Sequence, residues 1–384
     1  METKKIKQAI IDKKDELIAL TKDLIRFESI SGKEDEISEY IQDFFKEINF
    51  YVRSIDKNVL ASEKKDNKDA RLILNGHMDV VPAENFSWDY PPFDPQIIDE
   101  KIYGRGSCDM KGGLASMMFA IKILHELGID MGSDILFTAT VEEETGGVNG
   151  TGKIVGSLNG EMCVIAEPTD LGICIGHKGS NIYEITVKGR SAHGSMPQLG
   201  KNAIYYAARM IIALEDFKFS IEDDLLGQPT MNVGKISGGT RVNVVPDRCV
   251  FELDRRTIPE ETSKSVLDEL NRIVNREKAN GVEAEIKNII EMLPVKVSTD
   301  EMIVRLLKKS TKDVFGYERD ITTMDGCTDA RFFIDKNIPT VIFGPGKKDC
   351  AHVSNEFIEI NDLVYASSSF ASLITEVVKN NKKN

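Results

Sequence analysis

The sequence has little cysteine, histidine or positive charge, and each shortage excludes a class of protein. Its 384 residues include 6 Cys and 5 His, and no two cysteines have the Cys-x-x-Cys spacing of zinc fingers and redox motifs. We therefore expect reduced thiols rather than disulfides or a cysteine-bound zinc. The 49 Lys and Arg against 62 Asp and Glu give a net charge of −13. Without a basic stripe, this acidic surplus argues against nucleic acid and anionic membrane surfaces as partners.

Long apolar runs are also missing. No stretch is long enough to span a bilayer, and residues 1–14 alternate Lys and Asp with Ile, unlike the apolar core of a signal peptide. These features predict a cytoplasmic protein with no membrane partner. Hydrophobic residues make up 41% of the chain, as in folded proteins, and 384 residues exceed what one hydrophobic core usually serves. We therefore expect two domains.

Helical and strand patterns alternate towards both ends of the chain. Apolar spacing predicts a helix over residues 6–27, and Ser31 with Glu34 forms a candidate capping box for a second helix through Phe45. The next predicted elements are an edge strand (58–62), a buried strand (71–75), a helix (112–127), a strand (134–141), a short helix near Thr151 and a strand (162–166). Near the other end lie a helix (301–314), an apolar strand (340–343) and a terminal helix (363–378). This alternation is typical of an open α/β sheet.

The middle of the chain has a different pattern. Its predicted elements follow the order strand, helix, strand, strand, helix, strand, over residues 182–187, 203–214, 230–236, 249–254, 263–278 and 282–289. This is the split βαβ arrangement of a small, complete α+β domain. The sequence therefore predicts a discontinuous α/β domain over residues 1–180 and 293–384, interrupted by an inserted domain over residues 181–292.

Acidic residues and histidines follow the predicted strands of the larger domain. They are His77 and Asp79, Asp109 in Gly104-Arg-Gly-Ser-Cys-Asp109, the run Glu142-Glu143-Glu144, Glu167, and His352. In open α/β sheets, ligands bind beyond the carboxyl ends of the strands. Two imidazoles and several carboxylates, with no thiolate among them, suit a pair of zinc-type ions with nitrogen and oxygen ligands.

Two local spacings predict a division of roles. His77 and Asp79 are two residues apart and share a face of an extended backbone, so Asp79 is expected to accept the His77 ring N–H. Glu143 and Glu144 are adjacent and point in different directions. One of them can therefore bind metal while its neighbour faces the substrate and acts as a base.

Taken in order from Gly76 to Glu356, these segments resemble the co-catalytic zinc amidohydrolase and exopeptidase family that includes acetylornithine deacetylase, succinyl-diaminopimelate desuccinylase, aminoacylase and carboxypeptidase G. The resemblance implies a zinc-exopeptidase-like α/β catalytic domain with an inserted ferredoxin-like lid and dimerisation domain. It implies one metal held by His77, Asp109 and Glu167, and a second held by Glu144, His352 and the bridging Asp109.

The resemblance also implies which residues act on the substrate. Asp79 is expected to converge on the same site, and the resemblance makes Glu143 the general base; in the alternative register, Glu142 is the base and Glu143 the ligand. In the inserted domain, His193 matches a histidine that polarises the scissile carbonyl in the partner subunit's active site. Asn243 matches a substrate contact, and Arg255 matches the residue that grips a substrate carboxylate.

The expected function follows from this resemblance. It is a hydrolase with two divalent ions, zinc or alternatively cobalt or manganese, that cleaves the amide bond of an N-acyl amino acid. A dipeptidase or other exopeptidase on the same scaffold is the nearer alternative, and a non-catalytic binding protein is the more distant one. The expected partners are a small N-acyl amino acid or peptide substrate and a second copy of the chain, bound through the inserted domain.

Overall fold

The computed structural model describes residues 2–84, 87–276 and 282–381. Its helices, in chain order, are α1 (Glu2–Asp12), α2 (Lys14–Arg26), α3 (Asp35–Glu47), α4 (Gly112–Glu126), α5 (Thr151–Ile154), α6 (Ala203–Glu215), α7 (Ser263–Asn275), α8 (Met302–Phe315), α9 (Ala330–Asp335) and α10 (Ile360–Asn381). The end predicted for α7, Lys278, lies outside the described residues. Within those residues, no helix combines the length and the apolar character needed to cross a membrane.

The strands account for the rest of the regular structure. In chain order they are β1 (Tyr51–Ile55), β2 (Asn58–Ser62), β3 (Leu72–His77), β4 (Gln96–Ile98), β5 (Lys101–Tyr103), β6 (Ile135–Thr140), β7 (Met162–Ile165), β8 (Ile173–His177), β9 (Gly179–Lys188), β10 (Thr230–Gly238), β11 (Arg248–Thr257), β12 (Glu283–Met292), β13 (Val295–Lys296), β14 (Ile321–Met324), β15 (Thr340–Ile342) and β16 (Phe357–Glu359).

The chain folds into two compact units. The larger comprises Met1–Ile175, Val297–Thr322 and Thr328–Asn384, and the smaller comprises Gly176–Lys296 and Thr323–Cys327. The predicted insertion, residues 181–292, lies within the smaller unit. The mixed α/β class predicted from the sequence is confirmed.

The larger unit is built on a mixed sheet with the strand order β1-β2-β6-β3-β7-β15-β8. Its central strands are parallel, because β3 pairs in parallel with β6 and β7, and β7 pairs in parallel with β15. The carboxyl ends of these strands therefore share one edge of the sheet. β3, β6 and β7 are buried along their whole length, as expected of parallel strands covered on both faces.

One glycine lets a helix approach this edge closely. α4 buries nearly all its side chains and packs against α10. At Gly113, in its first turn, a Cβ atom would lie 2.0 Å from the Ala166 carbonyl oxygen. Only glycine permits this approach, which brings the start of α4 against the residue before Glu167.

Three features near the N-terminus differ from the predictions. The predicted helix 6–27 is two helices, α1 and α2, because Lys13 adopts non-helical angles between them (φ −108°, ψ 21°). β2 is not an edge strand, because the partly exposed β1 pairs with it. Glu34 precedes α3 but its side chain does not cap the helix, and the Ser31 hydroxyl instead donates to Asp79 Oδ2 at 2.7 Å. The predicted capping box was therefore wrong.

The smaller unit is an antiparallel sheet with two helices on one face. The strand order is β10-β11-β9-β12, which is the order of a split βαβ domain. Side chains of β9 and β11 alternate, and their buried set packs with α6 and α7 in one core. The Thr262 side chain accepts the Ser265 N–H at 3.1 Å and caps α7.

Candidate metal centre

The sheet topology brings the predicted ligands of the larger unit to one edge. His77 is the last residue of β3, Glu143 and Glu144 follow β6, and Glu167 follows β7. Two further ligands come from loops. Asp109 lies in an irregular turn just before α4, and His352 lies between β15 and β16.

Asp109 joins two groups of candidate ligands. On one side, Asp109 Oδ1 lies 3.1 Å from His77 Nε2, which in turn lies 3.6 Å from Glu167 Oε1. On the other, Asp109 Oδ2 lies 3.3 Å from His352 Nε2, which lies 2.9 Å from Glu144 Oε1. In each group, one donor atom per residue lies within 4.8 Å of the others, close enough to share an ion. The two oxygens of one carboxylate therefore serve the two groups separately.

Asp79 contacts both His77 and the turn that carries Glu144. The His77 Nδ1 lies 3.0 Å from the Asp79 carbonyl oxygen and 3.4 Å from its carboxylate Oδ1. Either oxygen can take the ring N–H at Nδ1, which leaves Nε2 free to bind metal. The Asp79 carboxylate also accepts the backbone N–H groups of Glu143 at 3.0 Å and Glu144 at 3.1 Å. Asp79 therefore orients one ligand and anchors the turn that carries another.

The three consecutive glutamates face different partners. The Glu144 carboxylate contacts His352, whereas the Glu142 carboxylate accepts a hydrogen bond from Asn149 Nδ2 at 2.7 Å. Glu143 lies between them in the sequence, and burial, with repulsion from Asp329 and Glu144, raises its pKa well above the usual range. Glu144 is the glutamate of this run that lies in a group of candidate ligands, and the identity of the base stays a prediction.

Burial and mutual repulsion perturb the pKa values of these groups. Burial, with repulsion from Asp109, raises the pKa of Glu144 and raises that of Glu167 well above its usual range. Burial also raises the pKa of Glu143. Hydrogen bonds to Asp109 and Glu144 raise the pKa of His352 to about 10. Because bound cations would offset the repulsion among these carboxylates, and because imidazole nitrogen and carboxylate oxygen are ligands that zinc accepts, the residues fit a pair of divalent ions.

In the smaller unit, the structure brings His193 and Asn243 onto adjoining exposed segments. The Gly194 N–H donates to the Asn243 carbonyl at 2.8 Å, and the Val245 N–H donates to the Ala192 carbonyl at 2.8 Å. The Ser195 N–H donates to His193 Nδ1 at 3.2 Å. The same Nδ1 lies 2.7 Å from Ser195 Oγ, so Ser195 contacts the His193 ring at Nδ1.

Comparison with known proteins identifies the family. Residues 73–376, most of the chain, match peptidase family M20/M25/M40. The chain belongs to this family. A succinyl-diaminopimelate desuccinylase of Hydrogenovibrio crunogenus is 28% identical over 94% of this chain and 100% of its own length. This M20 chain is accordingly a metal-dependent hydrolase that acts on amide bonds.

Solved structures of other proteins share the fold. A tripeptidase from Staphylococcus aureus superimposes with a TM-score of 0.81 and 24% identity, covering 95% of this chain and 99% of that one. The YxeP protein of Bacillus subtilis, described as a dinuclear metal-binding peptidase of the M20 family, gives a TM-score of 0.74 and 19% identity over 95% and 98% of the two chains.

One expectation from the family resemblance does not agree with the structure. Arg255 is fully buried, its guanidinium pairs with Glu261, and it lies 3.6 Å from Glu269 and over the ring of Phe219 at 4.2 Å. Alternate residues of a strand share a face, so Arg255 lies on the core face of β11. This position contradicts the expected contact with a substrate carboxylate. The next residue, Arg256, lies on the other face with its side chain 33% exposed, paired with Asp254 at 2.9 Å.

Glu356 is a residue of the M20 site that the sequence did not single out. It is almost fully buried, and its Oε1 accepts the backbone N–H groups of Cys108 at 2.9 Å and Asp109 at 3.0 Å. Its Oε2 accepts the Gly106 N–H at 3.0 Å and Arg105 Nη1 at 2.7 Å. Glu356 therefore fixes the turn that carries Asp109.

Glu356→Ala is expected to weaken both stability and metal binding. Glu356 forms a buried ion pair with Arg105, and removing one partner of such a pair costs about 3–5 kcal/mol of unfolding free energy. Loosening the Asp109 turn should lower metal affinity by about 10–100-fold, the usual effect of losing a group that orients a ligand. Urea unfolding and competitive chelation on the purified variant measure the two effects. Unchanged metal affinity would show that Glu356 is not needed to hold Asp109.

Proposed function

We propose that the chain is a two-metal hydrolase of N-acyl amino acids, cleaving the amide between the acyl group and the amino nitrogen. The observation that carries the proposal is the placement of Asp109, whose two carboxylate oxygens face separate His-and-Glu groups. One group, His77, Asp109 and Glu167, would hold the first ion, and Asp109, Glu144 and His352 would hold the second. The proposed donor atoms are imidazole nitrogens and carboxylate oxygens, which suit zinc, with cobalt and manganese as alternatives.

In the proposed reaction, Glu143, His193 and Asp79 have separate roles. Ions bound at the centre would supply Lewis acidity, which makes water a nucleophile near neutral pH and polarises the scissile carbonyl. Glu143 takes the proton from the attacking water and later returns it to the leaving amine. His193 Nε2–H donates to the carbonyl oxygen as negative charge develops there. Asp79 keeps His77 and the Glu143–Glu144 turn in place throughout.

A substrate panel tests this function. The purified protein is assayed on N-acetyl and N-succinyl amino acids and on unblocked dipeptides and tripeptides, with and without a chelator. We expect hydrolysis of at least one N-acyl amino acid, with loss of activity on chelation and recovery with Zn²⁺. Cleavage of unblocked peptides alone would favour the second candidate, an exopeptidase, which the structural likeness to the tripeptidase supports. No cleavage of any amide would contradict both.

We propose that Arg256, rather than Arg255, binds the substrate carboxylate. Arg256→Ala should raise KM for a carboxylate-bearing substrate by about 10–100-fold, the value of a charge-assisted hydrogen bond of roughly 1.5–3 kcal/mol, with a smaller change for the substrate's amide analogue. Arg255→Ala is the matched control, because it leaves Glu261 buried without its partner and should act on stability instead. The reverse pattern, with KM changed only by Arg255→Ala, would restore the original assignment.

We further propose that the smaller unit forms a homodimer interface. β10 lies at an edge of its sheet and is mostly exposed, and α6 exposes Tyr205 and Ile212 (66% and 55%). An open strand edge beside exposed apolar side chains is typical of a pairing surface.

If His193 acts in the partner subunit, hybrid dimers reveal it. His193→Ala should retain its metal and lose about 10²–10³-fold in kcat, the usual cost of removing one oxyanion donor. Mixing it with an Asp109→Ala variant should restore part of the activity, because one of the two sites in the hybrid regains both residues. Absence of rescue, with subunit exchange verified by native mass spectrometry, would contradict action in trans.

A further inference from the structure

The turn that carries the proposed base is held by two buried carboxylates. Its three consecutive backbone N–H groups all point towards acceptors. The Glu142 N–H donates to Glu34 Oε1 at 3.2 Å, and those of Glu143 and Glu144 donate to the two oxygens of Asp79 at 3.0 and 3.1 Å. Glu34 is 1% exposed and Asp79 is fully buried. Successive N–H groups that converge in this way form a concave site for an anion, which here is supplied by the chain itself.

Glu142 has a backbone conformation that needs such support. Its φ of 55° and ψ of 28° lie in the left-handed region, which residues other than glycine adopt infrequently. This reversal of the chain directly precedes the short helical turn Glu143–Thr145, and it sets the direction in which the next two side chains leave the backbone. The Gly147 N–H donates to the Glu142 carbonyl at 2.7 Å, and the Glu34 carboxylate accepts the Glu142 N–H.

Glu34 is itself fixed from two directions. The same Oε1 atom accepts the Gly32 N–H at 2.8 Å. The segment before it runs beside the residues that follow β3, since the Ser29 hydroxyl donates to the Met78 carbonyl at 2.7 Å and the Val80 N–H donates to the Ser29 carbonyl at 2.9 Å. The segment that carries Glu34 therefore runs beside residues 78–80. From there the Glu34 carboxylate contacts the turn that carries Glu143.

We propose that Glu34 is a positioning residue that holds Glu142 in its left-handed conformation, and so sets which of Glu143 and Glu144 faces the substrate and which faces the metal. This rests on the proposed function for the roles of those two carboxylates. Without an acceptor at position 34, Glu142 can relax towards the right-handed conformation. That change turns the next two side chains, so the base and the second metal ligand lose their places together.

Three variants test the proposal. Glu34→Ala removes the acceptor, and Glu34→Gln keeps a side-chain carbonyl at the same place. Glu36→Ala is the control, because it removes an exposed acid two residues further on, in the first turn of α3. Hydrogen exchange of the peptide that spans residues 141–147 is measured first, on metal-free protein. We expect Glu34→Ala to speed exchange in this peptide by about 10-fold or more, because the Glu142 N–H no longer has an acceptor in that variant. Glu34→Gln and Glu36→Ala should exchange at the parental rate.

The same variants are then compared in activity and metal binding. Glu34→Ala should lower kcat by about 10–100-fold with KM within about 2-fold, and should weaken the second metal equivalent more than the first, as expected for a group that orients a ligand. Glu34→Gln should recover most of both. Thermal unfolding of all three variants is recorded in parallel.

The outcomes separate the proposal from its alternatives. Equal acceleration of exchange across the whole chain would mean a general packing role and would overturn the proposal, as would faster local exchange with unchanged kcat. If Glu34→Gln is impaired as strongly as Glu34→Ala, the hydrogen bond is not the cause and the proposal also fails. Because the exchange measurement needs neither metal nor substrate, a parent enzyme that cleaves no amide would refute the proposed function without affecting the result on the turn.

Discussion

Glu143→Gln is expected to reduce kcat by about 10²–10⁴-fold while both metal equivalents remain bound, which is the usual contribution of a general base. The substitution keeps the shape of the side chain and removes its ability to take a proton. Because the contacts of Asp109, Glu144 and His352 do not involve the Glu143 side chain, metal content should not change. Steady-state kinetics and metal analysis of the same preparation measure both quantities.

Glu142→Gln is the matched control for this prediction. Its carboxylate accepts a hydrogen bond from Asn149 and belongs to neither group of candidate ligands among the described residues, so near-parental kcat is expected. The reverse result, with Glu142→Gln inactive and Glu143→Gln depleted of metal, would establish the alternative register. Near-normal turnover of Glu143→Gln would exclude it as the base.

Asp109→Ala is expected to have the other large effect, namely loss of metal from both sites. Each oxygen of Asp109 contacts a different histidine, and both groups depend on it. Metal content should fall from two equivalents to below one, and kcat should fall by at least about 10³-fold, since the charge stabilisation that the ions provide is lost.

Asp313→Ala serves as the control for this variant, because Asp313 is an exposed acid on α8 of the same unit. It should keep full metal content and activity. If Asp109→Ala retains one tightly bound equivalent with parental affinity, then the carboxylate does not serve both groups, and the description of the centre as a shared two-ion site is contradicted.

Much of the site could be predicted because it follows the strand ends. The apolar runs at β3, β6 and β7 mark buried parallel strands, and chemistry in such sheets lies at their carboxyl ends. That rule pointed to His77, to the run Glu142-Glu143-Glu144 and to Glu167 as candidates. The alternation of β11 places Arg255 with Phe251 and Leu253 on the core face, and this period of two is visible in the sequence.

Other parts of the site depend on partners far apart in sequence. Ser31 and Glu34 have the spacing of a capping box, yet their side chains bond to Asp79 and to the Glu142 N–H, about 48 and 108 positions away. Glu356 binds backbone N–H groups some 250 positions earlier, and no local pattern marks it. Contacts of this kind arise only when the chain is folded, so the roles of Ser31, Glu34 and Glu356 were not predicted, whereas the local contact between Asp79 and His77 was.

The most direct test of the account is a metal titration of the metal-free protein, followed by amide hydrolysis. Zn²⁺ is added in steps to a chelator-treated sample, and the rate on the best N-acyl amino acid is recorded at each step. The two groups joined at Asp109 predict that the rate reaches its plateau at two equivalents. A plateau at one equivalent, or full activity without added metal in a sample verified as metal-free, would contradict it.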